Sequence, residues 1–141
     1  MLELYDGAKL IKTYKAAFGF APVGDKEVEG DGRTPEGEFY VFVKNERSKF
    51  TASLGLSYPN NEDADRGMGA GLITRDEADE IKLAIDQKGM PPQKTRLGGE
   101  IYIHGSGSAT DWTWGCIALD DKDILELFAV AQRGMLVTIV P

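Results

Sequence analysis

The chain holds one histidine, His104, and one cysteine, Cys116, twelve positions apart and each beside a glycine, as His104-Gly105 and Gly115-Cys116. A thiolate attacks an acyl carbon well only if something lowers its pKa or takes its proton. A nearby imidazole does both and later returns the proton to the leaving amine. On that reading Cys116 is a nucleophile and His104 its base. Gly115 leaves the backbone free to turn, so that amides near Gly115 and Cys116 could face a developing oxyanion. The residues alone also allow a second reading, in which Cys116 is a small buried core residue and His104 a hydrogen-bonded one. A metal centre fits less well. One His and one Cys need two further ligands, and no HxH, CxxC or HExxH spacing is present.

Three segments carry more than this generic pairing. Tyr102-Ile103-His104-Gly105-Ser106 with Trp112–Leu119 resembles the HG…(S/T)xGC motif of the L,D-transpeptidase (YkuD-like) catalytic domain. Gly30–Phe39 is similar to that family's GDxxTPxGxY segment, and Leu54–Asn60 to a second signature of its YafK-like branch. The three occur in the family's order and span most of the chain. The resemblance implies a mixed, mainly β fold with two helices, and acyl transfer on peptidoglycan stem peptides through a thioester on Cys116. His104 is then the general base, while Gly115, Gly105 and Thr113 shape the pocket. No cofactor or metal is implied.

Two positions depart from the family pattern: Trp114 replaces a histidine before the Gly-Cys pair, and Ala118 replaces the arginine or asparagine often found two after the cysteine. The YafK-like branch tolerates an apolar residue there, and some of its members resemble hydrolases that cut a protein–peptidoglycan link. The resemblance therefore leaves open an L,D-transpeptidase, or a hydrolase whose partner is a wall-linked lipoprotein. A secreted antibacterial effector with the same site and a non-catalytic wall-binding module are the alternatives. The expected location, on the resemblance alone, is the periplasm or cell envelope.

Other candidates for substrate contact are Trp112 and Trp114 beside the reactive segment, Arg33 and Arg96 as grips for stem-peptide carboxylates, and Tyr58 from its family signature. The Trp pair could wall a groove or fill the core. Gly30–Gly37 is glycine-rich, but it lacks GxxxxGK(S/T) and its acids would repel phosphate.

The elements that must position these residues are mostly strands. Leu2–Tyr5 and Leu10–Ala16 read as a hairpin about Asp6-Gly7. Ala21–Gly37, with its Gly and Pro residues, reads as a long structured loop. Glu38–Val43, Phe50–Leu56 and Ile101–Ile103 read as strands, and Leu136–Val140 as a buried closing strand. One helix starts at the Thr74-x-x-Glu77 capping box and ends near Gly89. A second runs from an Asp120 cap to Gly134. The acidic stretch Glu62–Asp65 reads as a loop.

Composition limits the rest. At 141 residues the chain is one domain, residues 1–141, with 42% hydrophobic content. A net charge of -7, with 16 Lys and Arg scattered among 23 acids, argues against nucleic acid as a partner. No run reaches the roughly 20 apolar residues of a membrane span, and Met1–Asp6 lacks the pattern of a signal peptide.

Overall fold

In the computed structural model, which describes residues 1–141, a five-stranded sheet carries both His104 and the segment that ends in Cys116. Its strands are β3 (Gly37–Asn45), β4 (Ser53–Leu56), β5 (Tyr102–His104), β6 (Ile117–Ala118) and β7 (Leu136–Ile139), in the order β6-β5-β4-β3-β7. Neighbours are antiparallel except β5 and β6, which are parallel. A separate hairpin, β1 (Leu2–Asp6) with β2 (Lys9–Tyr14), precedes them. Beyond the hairpin, Ala17 runs antiparallel to Ala118, with N–H···O bonds of 2.8 Å in both directions, and so covers the β6 edge.

Alternation along these strands sorts side chains by face. Leu54, Ile103 and Ile117 enter the main core with Phe39, Val41, Leu56 and Leu119. Helix α3 (Asp121–Val130) closes that core through Ile124 and Leu127, which bear its apolar stripe. A smaller core of Ala64, Ile73, Ala78, Ile81 and Leu97 joins α1 (Asn61–Gly69) to α2 (Arg75–Asp86). The reciprocal Thr74–Glu77 capping box is present at the start of α2.

The sheet-rich mixed fold agrees with the sequence, but there are three helices, and the acidic stretch read as a loop is α1. Asn60 caps it by accepting from the Asp63 N–H at 2.9 Å, and Asp63 accepts from the Asn60 N–H at 3.0 Å. The helix is hard to see in sequence because it presents little apolar surface. Its inward residues are Asp63, Ala64 and Gly67, and a Cβ on Gly67 would lie 2.7 Å from Leu97 Cδ2.

Three smaller expectations change. β7 is an edge strand with Leu136 76% exposed, so apolar content there did not mean burial. The strand expected from Phe50 begins at Ser53, because Thr51 adopts φ +78°. Helix α3 stops at Val130, where Ala131 turns extended, and the Asp120 carboxylate is engaged by Ser108 instead of by the helix amides.

Candidate active site

Parallel pairing sets Ile103 beside Ile117 and His104 beside Ala118. Ile103 and Ile117 point into the core, so His104 and Cys116, each one residue along, share the opposite face as diagonal neighbours. No hydrogen bond joins them. The Cys116 thiol donates to the Glu100 carbonyl at 3.3 Å and accepts from the Tyr102 N–H at 3.4 Å. Burial pushes the thiol pKa up. The Tyr102 N–H works against this, the Glu100 carboxylate adds to it, and the charge of Lys26 opposes it.

His104 is 3% exposed and is held by Gly105, Phe50 and Trp112. Its Nδ1 lies 2.7 Å from the Gly105 carbonyl, which can only accept, so Nδ1 carries the proton and Nε2 keeps its lone pair. Phe50 stacks on the imidazole with centroids 4.4 Å apart at 23°, and Trp112 meets it edge-on at 5.6 Å. Burial lowers the His104 pKa, which the Gly105 carbonyl partly counters. At neutral pH the pair is therefore an uncharged thiol and an uncharged imidazole with a free basic nitrogen.

The turn before Cys116 depends on two residues. Gly115 has φ +139°, and a Cβ there would lie 2.8 Å from the Arg33 carbonyl, so no side chain fits. The Thr113 hydroxyl donates to the Cys116 carbonyl at 2.6 Å and accepts from the Gly115 N–H at 3.1 Å. The Gly115 amide is thereby committed, whereas the Cys116 N–H makes no hydrogen bond within the chain. Gly105 is buried. A Cβ on it would meet Asp121 Oδ1 at 2.6 Å and the Phe50 carbonyl at 2.7 Å, so its place is set by backbone packing.

The GDGRTPEG segment backs this turn. Asp31 accepts from the N–H groups of Glu27, Val28 and Arg33 and pairs with the buried Lys26 at 3.0 Å. Burial works to raise the Asp31 pKa, but these donors hold it below the usual carboxylate range. Thr34 accepts the Gly19 N–H at 3.0 Å, which ties the loop to the chain covering β6.

Trp112 and Trp114 are 39% and 69% exposed, which excludes a core role for either. Trp112 leans on Phe50 and His104, while Trp114 packs edge-on against Phe20 with centroids 4.8 Å apart. Arg33 is half-buried, forms no ion pair, and supplies its carbonyl to the Gly115 turn. Arg96 is exposed, and only its carbonyl is bonded, accepting from the Glu29 N–H. Tyr58 lies in the core at 0% exposure, its hydroxyl donating to the Leu97 carbonyl at 2.6 Å, and is not at a substrate surface.

Phe50, Glu100 and Asp121 are contributors that sequence reasoning missed. Asp121 accepts from the Ser106 N–H at 2.9 Å and the Thr51 hydroxyl at 2.7 Å, pinning the loops on both sides of the histidine. None has a local sequence signal, since each acts across the sheet. The carboxylates of Asp25, Glu62 and Asp63 form a cluster of metal-ligand type, but Arg66 supplies its cation, at 2.9 Å from Asp63 and 3.8 Å from Glu62.

The sequence profile of the L,D-transpeptidase catalytic domain family, YkuD, matches residues 1–139. The chain belongs to that family. Among solved structures it is similar to the helical cell shape determining protein Pgp2 from Campylobacter jejuni, with TM-score 0.61 and 23% identity. It is similar to Bd1075 from Bdellovibrio bacteriovorus, with TM-score 0.57 and 18% identity, and to an L,D-transpeptidase from Mycobacterium smegmatis, with TM-score 0.55 and 10% identity. It covers 96%, 94% and 99% of its own length in these comparisons, but only 41%, 39% and 53% of theirs. No curated protein matches. At these identities the likeness shows the fold, and the family match shows an L,D-transpeptidase catalytic domain. No helix is long and apolar enough to cross a membrane.

Proposed function

We propose that this YkuD domain catalyses acyl transfer on peptidoglycan stem peptides in the cell envelope, with Cys116 as nucleophile and His104 as base. The observation that carries this reading is the 2.7 Å contact between His104 Nδ1 and the Gly105 carbonyl. A proton held on Nδ1 by the Gly105 carbonyl leaves Nε2 free to take the thiol proton, on the same sheet face as Cys116.

The thiol leaves the Glu100 carbonyl, gives its proton to Nε2 and attacks the carbonyl carbon at the L-centre of meso-diaminopimelate. The unpaired Cys116 N–H is the donor available to the developing oxyanion. The C–N bond breaks as Nε2 returns the proton to the departing amine, leaving a thioester. Attack by an amine or by water, with Nε2 accepting its proton, then breaks the C–S bond, and Nε2 returns that proton to the departing Cys116 thiolate. On this reading the exposed Trp112 and Trp114 wall the approach to Cys116, and Arg33, which forms no ion pair, meets a substrate carboxylate.

The hydrolytic branch has one specific support. The position of the family's arginine or asparagine is Ala118, which is fully buried and bonded in both directions to Ala17. The methyl group there offers no hydrogen bond to orient an acceptor amine, an orientation that attack by water does not require.

The test is incubation with sacculi and with tetrapeptide muropeptides beside Cys116→Ala and His104→Ala, with products followed by mass spectrometry. Cross-linked or exchanged products lost in both variants establish a transpeptidase, and released peptide or tethered protein with water uptake establishes a hydrolase. No Cys116-dependent change would sink the enzymatic reading and leave the wall-binding module. An effector role shares this chemistry and separates on growth of a rival cell expressing the protein in its periplasm.

A further inference from the structure

Glu100 sits at φ +57°, a left-handed conformation that glycine adopts at no cost, and it directly follows Gly98 and Gly99. This chain nevertheless carries a side chain at the strained position. The strain is held by Gln93, whose Nε2 donates to the carbonyls of Tyr58 at 2.9 Å and Pro91 at 2.8 Å. Those two bonds fix the amide's orientation, so its Oε1 accepts the Glu100 N–H at 2.7 Å. The Glu100 backbone is thereby anchored with its carbonyl 3.3 Å from the Cys116 sulfur, while its carboxylate is exposed and has no ion-pair partner.

An unpaired anion there works against the resting site. Its charge opposes ionisation of both Cys116 and Tyr102. The nearby cation, Lys26, is 2% exposed and already bonded to Asp31 and the Val28 carbonyl, so it cannot turn to neutralise Glu100. A cationic group brought by substrate would complete the pair, and it would remove the field that disfavours the thiolate at the moment the thiolate is needed.

We propose that the Glu100 carboxylate is a subsite for a substrate ammonium group beside Cys116, with Gln93 as its positioning residue. The proposal rests on reading Cys116 as the nucleophile. The ammonium can belong to the acyl donor or to an acceptor amine, and the two differ in which half-reaction Glu100 serves.

The first measurement needs no turnover. Cys116 is alkylated with neutral iodoacetamide in the presence of diaminopimelic acid or its bis-N-acetyl form, in the native protein and in Glu100→Gln. The free diamino acid should slow alkylation saturably in the native protein and the acetylated form should not. Glu100→Gln should weaken that protection about tenfold, the size expected for one charge-assisted hydrogen bond. Equal protection in both proteins, or none in either, overturns the proposal. The second measurement follows the Cys116 thioester by mass spectrometry with muropeptide donor, with and without added amine. Slower thioester formation in Glu100→Gln assigns the ammonium to the donor, and an unchanged thioester with less amine product and more hydrolysis assigns it to the acceptor. If the native protein forms no thioester at all, the enzymatic reading fails, while the protection result still decides whether Glu100 holds an ammonium.

Discussion

Phe50 holds His104 twice over. Its ring lies against the imidazole with centroids 4.4 Å apart, and its carbonyl accepts the Gly105 N–H at 2.8 Å. Phe50→Ala keeps the backbone bond and removes the stack, so the ring is free to tilt about its Nδ1 contact. Displacement of a base by an ångström costs roughly a hundredfold in rate. We expect kcat to fall about ten- to a hundredfold, with a stability loss of about 1–2 kcal/mol from a half-buried aromatic. Thioester formation and thermal melting, measured side by side, check this. An unchanged kcat would show that Phe50 only packs.

The resting pair sets a pH dependence in two directions. The His104 pKa lies below its unfolded value, so the folded state binds fewer protons than the unfolded state just below about pH 6.5, and stability is lost as pH falls through that window. The Cys116 pKa lies above its unfolded value, so its contribution is present at neutral pH and is lost as pH rises past the ordinary thiol range. Urea unfolding of the native protein and of His104→Gln at pH 5 and pH 7 should show a smaller acid loss in the variant. Alkylation of Cys116 without substrate should be slower than that of a free cysteine at pH 8, and should accelerate only at higher pH. Slow resting alkylation therefore does not separate an enzyme from a binding module, and acylation by substrate does.

Much of this was legible in the sequence, for reasons that differ by residue. The Thr74 capping box and the apolar positions of α2 are local signals, and both appear as read. His104, Gly115 and Cys116 stood out because they are rare or flanked by glycine, and parallel pairing of β5 with β6 brings their segments together. Helix α1 was hidden because its inward face is built from Asp63 and Gly67, which no hydrophobic period reveals. Phe50 and Glu100 were hidden because their roles come from contacts 54 and 16 residues away in the chain, at His104 and Cys116. Trp112 and Trp114 left two readings open until their exposure excluded the core.

Tyr58 separates a family signature from a substrate contact. Its ring is wholly buried, and its hydroxyl donates to the Leu97 carbonyl at 2.6 Å. Burial, then the charge of Asp63, raises its pKa far above the phenol range. Tyr58→Phe leaves that carbonyl short of a donor and should cost about 1–2 kcal/mol, read as a lower melting temperature, while kcat and KM on muropeptides stay within twofold. A large rise in KM at unchanged stability would place Tyr58 at the substrate after all.

Thr113 is the most demanding position beside the nucleophile, because one hydroxyl serves two backbone groups. It donates to the Cys116 carbonyl at 2.6 Å and accepts from the Gly115 N–H at 3.1 Å, at 3% exposure. Valine matches threonine in shape but can satisfy neither group. Thr113→Val therefore leaves a donor and an acceptor unpaired, each at a cost of about 1–3 kcal/mol if it stays dry. The released Gly115 N–H would also compete with the Cys116 N–H for the oxyanion, and the turn that aims the sulfur would loosen. We expect a melting temperature lower by several degrees and kcat lower by about a hundredfold. Thr113→Ser keeps the hydroxyl and should restore most of both. If serine restores stability but not kcat, the threonine methyl rather than the hydroxyl would be what aims Cys116.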